Sequence, residues 1–251
     1  MVIGLRRWQD HFDAYRDRYV MVGGVACDRL MEDAGLPFRA TKDLDVVLLI
    51  EVLDAGFLAA FWAFIDAGGY EQRSRDDQGK IYRFEKPAID DYPHTIELFS
   101  RAPEGFDLAP NAIFTPLGVE ETAASLAAIL LDDVYYDYLA ANMREVGGLP
   151  LLSEAALIPF KARAFLDLSA RKASGQSVDS KDIRKHRNDV FRMLQLLPGD
   201  TVQDVPPPIA GDMNEFVAAV RGDETFAPGS FEVKMSAATA LARLSAAYGL
   251  A

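Results

Sequence analysis

Residues 19–50, YVMVGGVACDRLMEDAGLPFRATKDLDVVLLI, decide the fold. They read as an apolar strand over Tyr19–Val22, a Gly23-Gly24 turn, and a helix over Val25–Asp33 stopped near Gly35 and Pro37. A second strand over Leu44–Ile50 is entered through Thr41-Lys42-Asp43-Leu44-Asp45. Strand side chains alternate, so Asp43 and Asp45 point to one face. Such a pair suits Mg²⁺, which is commonly held by one or two carboxylates together with substrate phosphates. Gly23 and Gly24 bring a bare backbone to a helix start, where exposed amides and the helix dipole favour phosphate. A carboxylate pair beside a phosphate cradle is what phosphoryl or nucleotidyl transfer needs.

Working outward, residues 5–17 predict an opening helix with Leu5, Trp8, Phe12 and Tyr15 at helical spacing. Leu53–Ala67 is a second apolar helix, ended by Gly68-Gly69. Lys80–Glu85 and Thr95–Phe99 alternate as strands around the loop IDDYP. Ile113–Gly118 and Ser125–Leu131 are further strand candidates, the second also readable as helix, and Asp132–Asn142 is a helix bearing Tyr135, Tyr136 and Tyr138. Leu149–Leu152 is a short extended piece. After Ser153 the pattern turns helical: Glu154–Ala170, the polar loop KASGQSVD, Ser180–Leu197, a proline-rich link over Pro198–Pro208, then Asp212–Arg221 and Ala237–Tyr248. The expectation is an α/β (α+β) chain, with a mixed-sheet core over 1–152 and a helical part over 153–251.

Composition narrows the class. The 251 residues are half hydrophobic and a quarter charged, enough for a substantial core. No apolar run approaches the roughly 20 residues that span a bilayer, and the charged N-terminus does not read as a signal peptide. One cysteine, Cys27, excludes an intramolecular disulfide, and the three scattered histidines argue against zinc. Together these predict a cytoplasmic protein with no membrane partner. The net charge of −12 argues against nucleic-acid binding over the whole surface. Between Lys161 and Arg192, however, nine Lys/Arg against four Asp/Glu leave room for one basic face. There is no G-x-S-x-G elbow, Walker A loop or Rossmann fingerprint.

Gly23-Gly24 followed by Arg39-x-Thr41-x-Asp43-x-Asp45 resembles the first signature of the nucleotidyltransferase-fold superfamily. The AbiEii/MenT-like branch, which includes toxins of type IV toxin–antitoxin systems, matches over nearly the first 195 residues. The resemblance implies a nucleotidyltransferase-type sheet and a Mg²⁺-dependent transfer of NMP from an NTP to an acceptor hydroxyl, using one or two ions. A tRNA or other RNA end is the favoured acceptor, and a toxin role would imply a separate antitoxin. A third carboxylate is usual on a neighbouring strand, and Glu97 in HTIELFS stands there, although the family more often has aspartate. A helical lysine, Lys161, and a downstream aspartate, Asp182, would complete the set. Lys161 would neutralise triphosphate charge, and Asp182 would hold that lysine, bind metal or accept a proton. Arg39 could brace phosphate oxygens and Thr41 orient a carboxylate. His186 lies one turn after Asp182 on the same face.

Two other readings stay open at this stage. One is a nucleotide-binding module that keeps the fold without turnover. The other is an interaction protein that offers its acidic surface and the tyrosine-bearing helix to a partner chain.

Overall fold

In chain order, the strands are β1 (Tyr19–Met21), β2 (Asp43–Leu48), β3 (Gln72–Arg75), β4 (Ile81–Glu85), β5 (Thr95–Phe99), β6 (Thr115–Pro116), β7 (Met143–Val146) and β8 (Leu149–Leu152). They form one sheet in the order β6-β3-β4-β5-β2-β1-β8-β7. It is mixed: β2 runs parallel to β5 and antiparallel to β1, while β8 runs parallel to β1. This computed structural model describes residues 2–49, 52, 54–75, 81–101, 115–116, 121–199 and 201–250. Of the expected elements, Ile50, Leu53, Lys80 and residues 113–114 and 117–118 lie outside the described residues.

The sheet register sorts the chemistry into two faces. On one, Phe84, Ile96 and Leu44 stand in a row across β4, β5 and β2. Helices α1 (Leu5–His11) and α3 (Ala55–Gly68) supply aromatic rings to this core. Trp8, Phe12, Phe57, Phe61 and Phe64 are at most 1% exposed, and Phe61 meets Phe84 edge-on at 5.4 Å between centroids. Emptying one such position, as in Phe61→Ala, costs about 3–5 kcal/mol. Asp54 caps α3 by accepting from the Phe57 amide at 2.8 Å. The opening helix is shorter than its periodicity suggests. It stops at His11 and gives way to a 3₁₀ turn over Asp13–Tyr15, which brings Tyr15 against Phe57 at 5.8 Å.

The chain divides into two compact units, and neither is contiguous. The first holds residues 1–123 and 143–152, and the second holds 124–142 and 153–251. Helix α4 (Glu121–Leu130) resolves the ambiguity over Ser125–Leu131 in favour of helix, as the Ala- and Leu-rich ETAASLAAIL favours. In the second unit follow α5 (Asp133–Ala141), α6 (Glu154–Ala173), α7 (Ser180–Leu194), α8 (Pro207–Arg221) and α9 (Ala237–Ala247). Ser153 caps α6 through the Ala156 amide at 3.3 Å, a contact worth about 1 kcal/mol. Helix α8 begins at Pro207, before the expected Asp212, because proline suits the first helical turn. The α/β (α+β) expectation of a mixed sheet with flanking helices and a following helical part describes this arrangement.

The three tyrosines of α5 are 3%, 3% and 7% exposed, which removes them as a partner-binding surface. Tyr135 instead donates to Asp212 Oδ2 at 2.8 Å, and Arg163 donates to Oδ1 of the same carboxylate at 2.9 Å. Among the described residues, no helix is long and apolar enough to cross a membrane.

Candidate functional site

The second sheet face carries the polar row. Asp45 lies opposite Glu97 across parallel strands, and Glu97 lies opposite Arg83 across antiparallel ones. Paired residues share a face, so Arg83, Glu97 and Asp45 stand in line across β4, β5 and β2. Asp43, two residues before Asp45, lies on this face opposite Thr95. Asp43 is exposed and Asp45 half-buried, as befits a strand that enters the sheet at its polar end.

Helix α2 (Gly23–Asp33) begins against this row. Val22, extended, donates its amide to the Asp45 carbonyl at 2.9 Å, and the chain then turns at Gly23 with φ +64°. That conformation is open to glycine and strained for other residues. The Gly24 amide donates to Asp45 Oδ2 at 3.4 Å. A β-carbon on Gly24 would lie 2.5 Å from Thr41 Oγ1 and 3.7 Å from Arg39 Nη2. Gly23, Gly24, Arg39, Thr41 and Asp45 therefore converge, and the fold joins them to Asp43 and Glu97.

The electrostatics of the row are unbalanced toward negative charge. Burial pushes the Glu97 carboxyl up to about 8, and the neighbouring Asp45 charge adds to the rise, while Arg83 pulls it down. Arg83 donates from Nε to Glu97 Oε1 at 2.9 Å, and its Nη2 reaches the same oxygen. Among the described residues, no three His, Cys, Asp or Glu side chains gather as one metal-ligand cluster. The expected trio of Asp43, Asp45 and Glu97 thus shares a face without closing on one point. Arg83 went unnoticed in the sequence. Its signal was a lone cation between Tyr82 and Phe84 in IYRFE, a strand whose other residues before Glu85 are apolar or aromatic.

In the helical unit, Lys161 is 5% exposed and faces Asp189, with Nζ 3.9 Å from Oδ2. Asp189 is fully buried and also accepts from Arg192 Nη1 at 2.9 Å. The carboxylate that holds Lys161 is therefore Asp189 and not Asp182, which sits half-buried in the first turn of α7. The two aspartates are seven residues apart, two helical turns on one face, so the local pattern did not choose between them. His186 is buried at 5% exposure. The basic segment is also less open than its composition suggests. Lys161, Arg163, Arg171, Arg187 and Arg192 pair with Asp189, Asp212, Asp167, Asp223 and Asp189 respectively; of the other four cations Lys185 is half-buried, and Lys172, Lys181 and Arg184 are exposed.

No protein-family profile and no curated protein matches the chain. Among solved structures, the solution structure of the antibiotic-resistance factor ANT(2'')-Ia, with its substrate-regulated conformation dynamics, is similar at 14% identity and a TM-score of 0.39. It covers 87% of this chain and 89% of that one. A likeness of that degree carries no assignment of activity.

Proposed function

We propose that this chain is a Mg²⁺-dependent nucleotidyltransferase that moves NMP from an NTP to an acceptor hydroxyl with release of pyrophosphate. The observation that supports this most is the seating of the Gly23-Gly24 helix start on the Asp45 carboxylate, in a row that also holds Glu97. The donor set fits a hard cation: it is made of carboxylate oxygens on one sheet face, where burial first and the Asp45 charge second hold the Glu97 carboxyl above its ordinary range. Asp43 and Asp45 would hold the ion, which when bound supplies charge neutralisation at the phosphates. Gly23 and Gly24 let phosphate approach the first turn of α2. Arg39, beside Gly24, braces phosphate oxygens, and Thr41 orients the Asp45 side of the turn. The chemistry is then positioning and electrostatics, with no covalent intermediate on the protein.

The acceptor is proposed as a hydroxyl, and an RNA end is its favoured form. The exposed Lys172, Lys181 and Arg184 are the support for RNA. The resemblance adds a toxin role with a separate antitoxin, and the composition adds a cytoplasmic setting. It also gives Lys161 and Asp182 a share in the reaction, which Lys161→Met and Asp182→Asn would test with folding checked separately. The deciding experiment is pyrophosphate release from each of the four NTPs with Mg²⁺ and total RNA, comparing wild type with Asp45→Asn. Release that is base-selective and lost in the variant supports the proposal. NTP binding without release in either protein would favour a non-catalytic nucleotide-binding module.

A further inference from the structure

The transfer reading leaves open whether one cation or two serve the site, and Arg83 bears on that choice. Its side chain is 6% exposed and that of Glu97 is 12% exposed, so the pair is largely shielded from water. Nε and Nη2 of the guanidinium both donate to Glu97 Oε1. In the register, Asp45 lies on the other side of Glu97 from Arg83. An arginine keeps its charge at any working pH, so this cation does not leave by deprotonation.

We infer that Arg83 limits the site to one divalent cation: its guanidinium is the resident positive charge on Glu97, and the single ion belongs to Asp43 and Asp45. With Glu97 ionised against Arg83, the three carboxylates and one guanidinium carry a formal charge of −2, which one divalent ion neutralises. A second ion ligated by Glu97 would be set beside a fixed guanidinium in a weakly screened row. Arg83 is on this account a positioning residue that holds the third carboxylate away from metal ligation. The inference rests on the transfer reading, since that reading supplies the cation.

The test counts Mn²⁺ bound to the full chain, by electron paramagnetic resonance of the free ion, with and without a non-hydrolysable α,β-methylene NTP. Wild type and Glu97→Gln should each bind one ion with affinities within about threefold. Asp45→Asn should weaken that ion at least about tenfold, the range expected when a metal's surroundings are altered. Arg83→Met should gain a second ion, lost again in the Arg83→Met/Glu97→Gln double variant. Two ions in wild type, with one lost in Glu97→Gln, would overturn the inference and leave the transfer reading standing. An Arg83→Met protein that folds and still binds one ion overturns the role given to Arg83. No ion in wild type at any concentration removes the transfer reading and the inference together. Should Arg83→Met fail to fold, the comparison of wild type with Glu97→Gln decides alone.

Discussion

The Asp45 carboxylate occupies the space that a side chain on Gly23 would need: a β-carbon there would lie 1.7 Å from Oδ2. Real β-carbons do not come so close, and the left-handed φ of Gly23 adds strain for any other residue. Gly23→Ala should therefore displace either the turn or Asp45. The expected outcome is a stability loss of about 1–3 kcal/mol together with the loss of Mg²⁺-dependent NTP binding. Urea denaturation and calorimetric nucleotide titration would read the two effects separately.

The Asp45 carboxylate also defines a second expectation. Asp45→Asn keeps the shape and removes one charge, so folding should survive while transfer falls at least about 100-fold, a loss of a few kcal/mol of charge stabilisation. Asp43→Asn should show the same sign. Full activity in both variants would leave the carboxylate pair without a catalytic purpose.

Glu97 predicts a pH dependence. Burial and the Asp45 charge raise its folded pKa to about 8, above the ordinary carboxylate value near 4.5. The folded state then binds the Glu97 proton more tightly than the unfolded state, so its contribution to stability is fully present below about pH 4.5 and fades as pH rises through about 8. Thermal melts of wild type between pH 6 and 9 should show a downward slope that flattens in Glu97→Gln. Added Mg²⁺ should recover stability most at the alkaline end, where the row is most negative.

Buried charge in the helical unit gives a ranking. Asp189→Ala strands both Lys161 and Arg192 without their shared carboxylate and should cost about 3–5 kcal/mol. Lys161→Met leaves Asp189 its contact with Arg192, so the penalty should be smaller. Chemical denaturation of the two variants side by side checks the order.

Local pattern made part of this molecule legible. The strand, glycine turn, helix and D-x-D strand of residues 19–48 each declare themselves within a few residues, and β2 and α2 fall within two residues of their expected ends. Thr95–Phe99 was legible for the same reason, as apolar alternation around Glu97. Strands β3 and β7, QRSR and MREV, were missed because their polar sequences show no buried face, as befits strands near or at a sheet edge. The Arg83–Glu97 pair was invisible because strand register is a non-local property. Asp189 was passed over because a helical face repeats, and Asp182 presented the same residue type two turns earlier.

The route of the chain through its sheet has a consequence for how the protein is made. Met21 of β1 pairs with Leu151 of β8, and between them the backbone leaves the first unit for residues 124–142 and comes back. On a ribosome, β1 can pair with β2 early, yet its other edge must wait until residue 151 has emerged. A fragment ending at residue 123 would keep that edge unpaired, and one ending at 152 would carry α5 without the helices that bury its tyrosines. Neither half can be cut out as one continuous piece of gene, so the sheet face bearing Asp43 and Asp45 is completed only by a chain that has already begun its second unit.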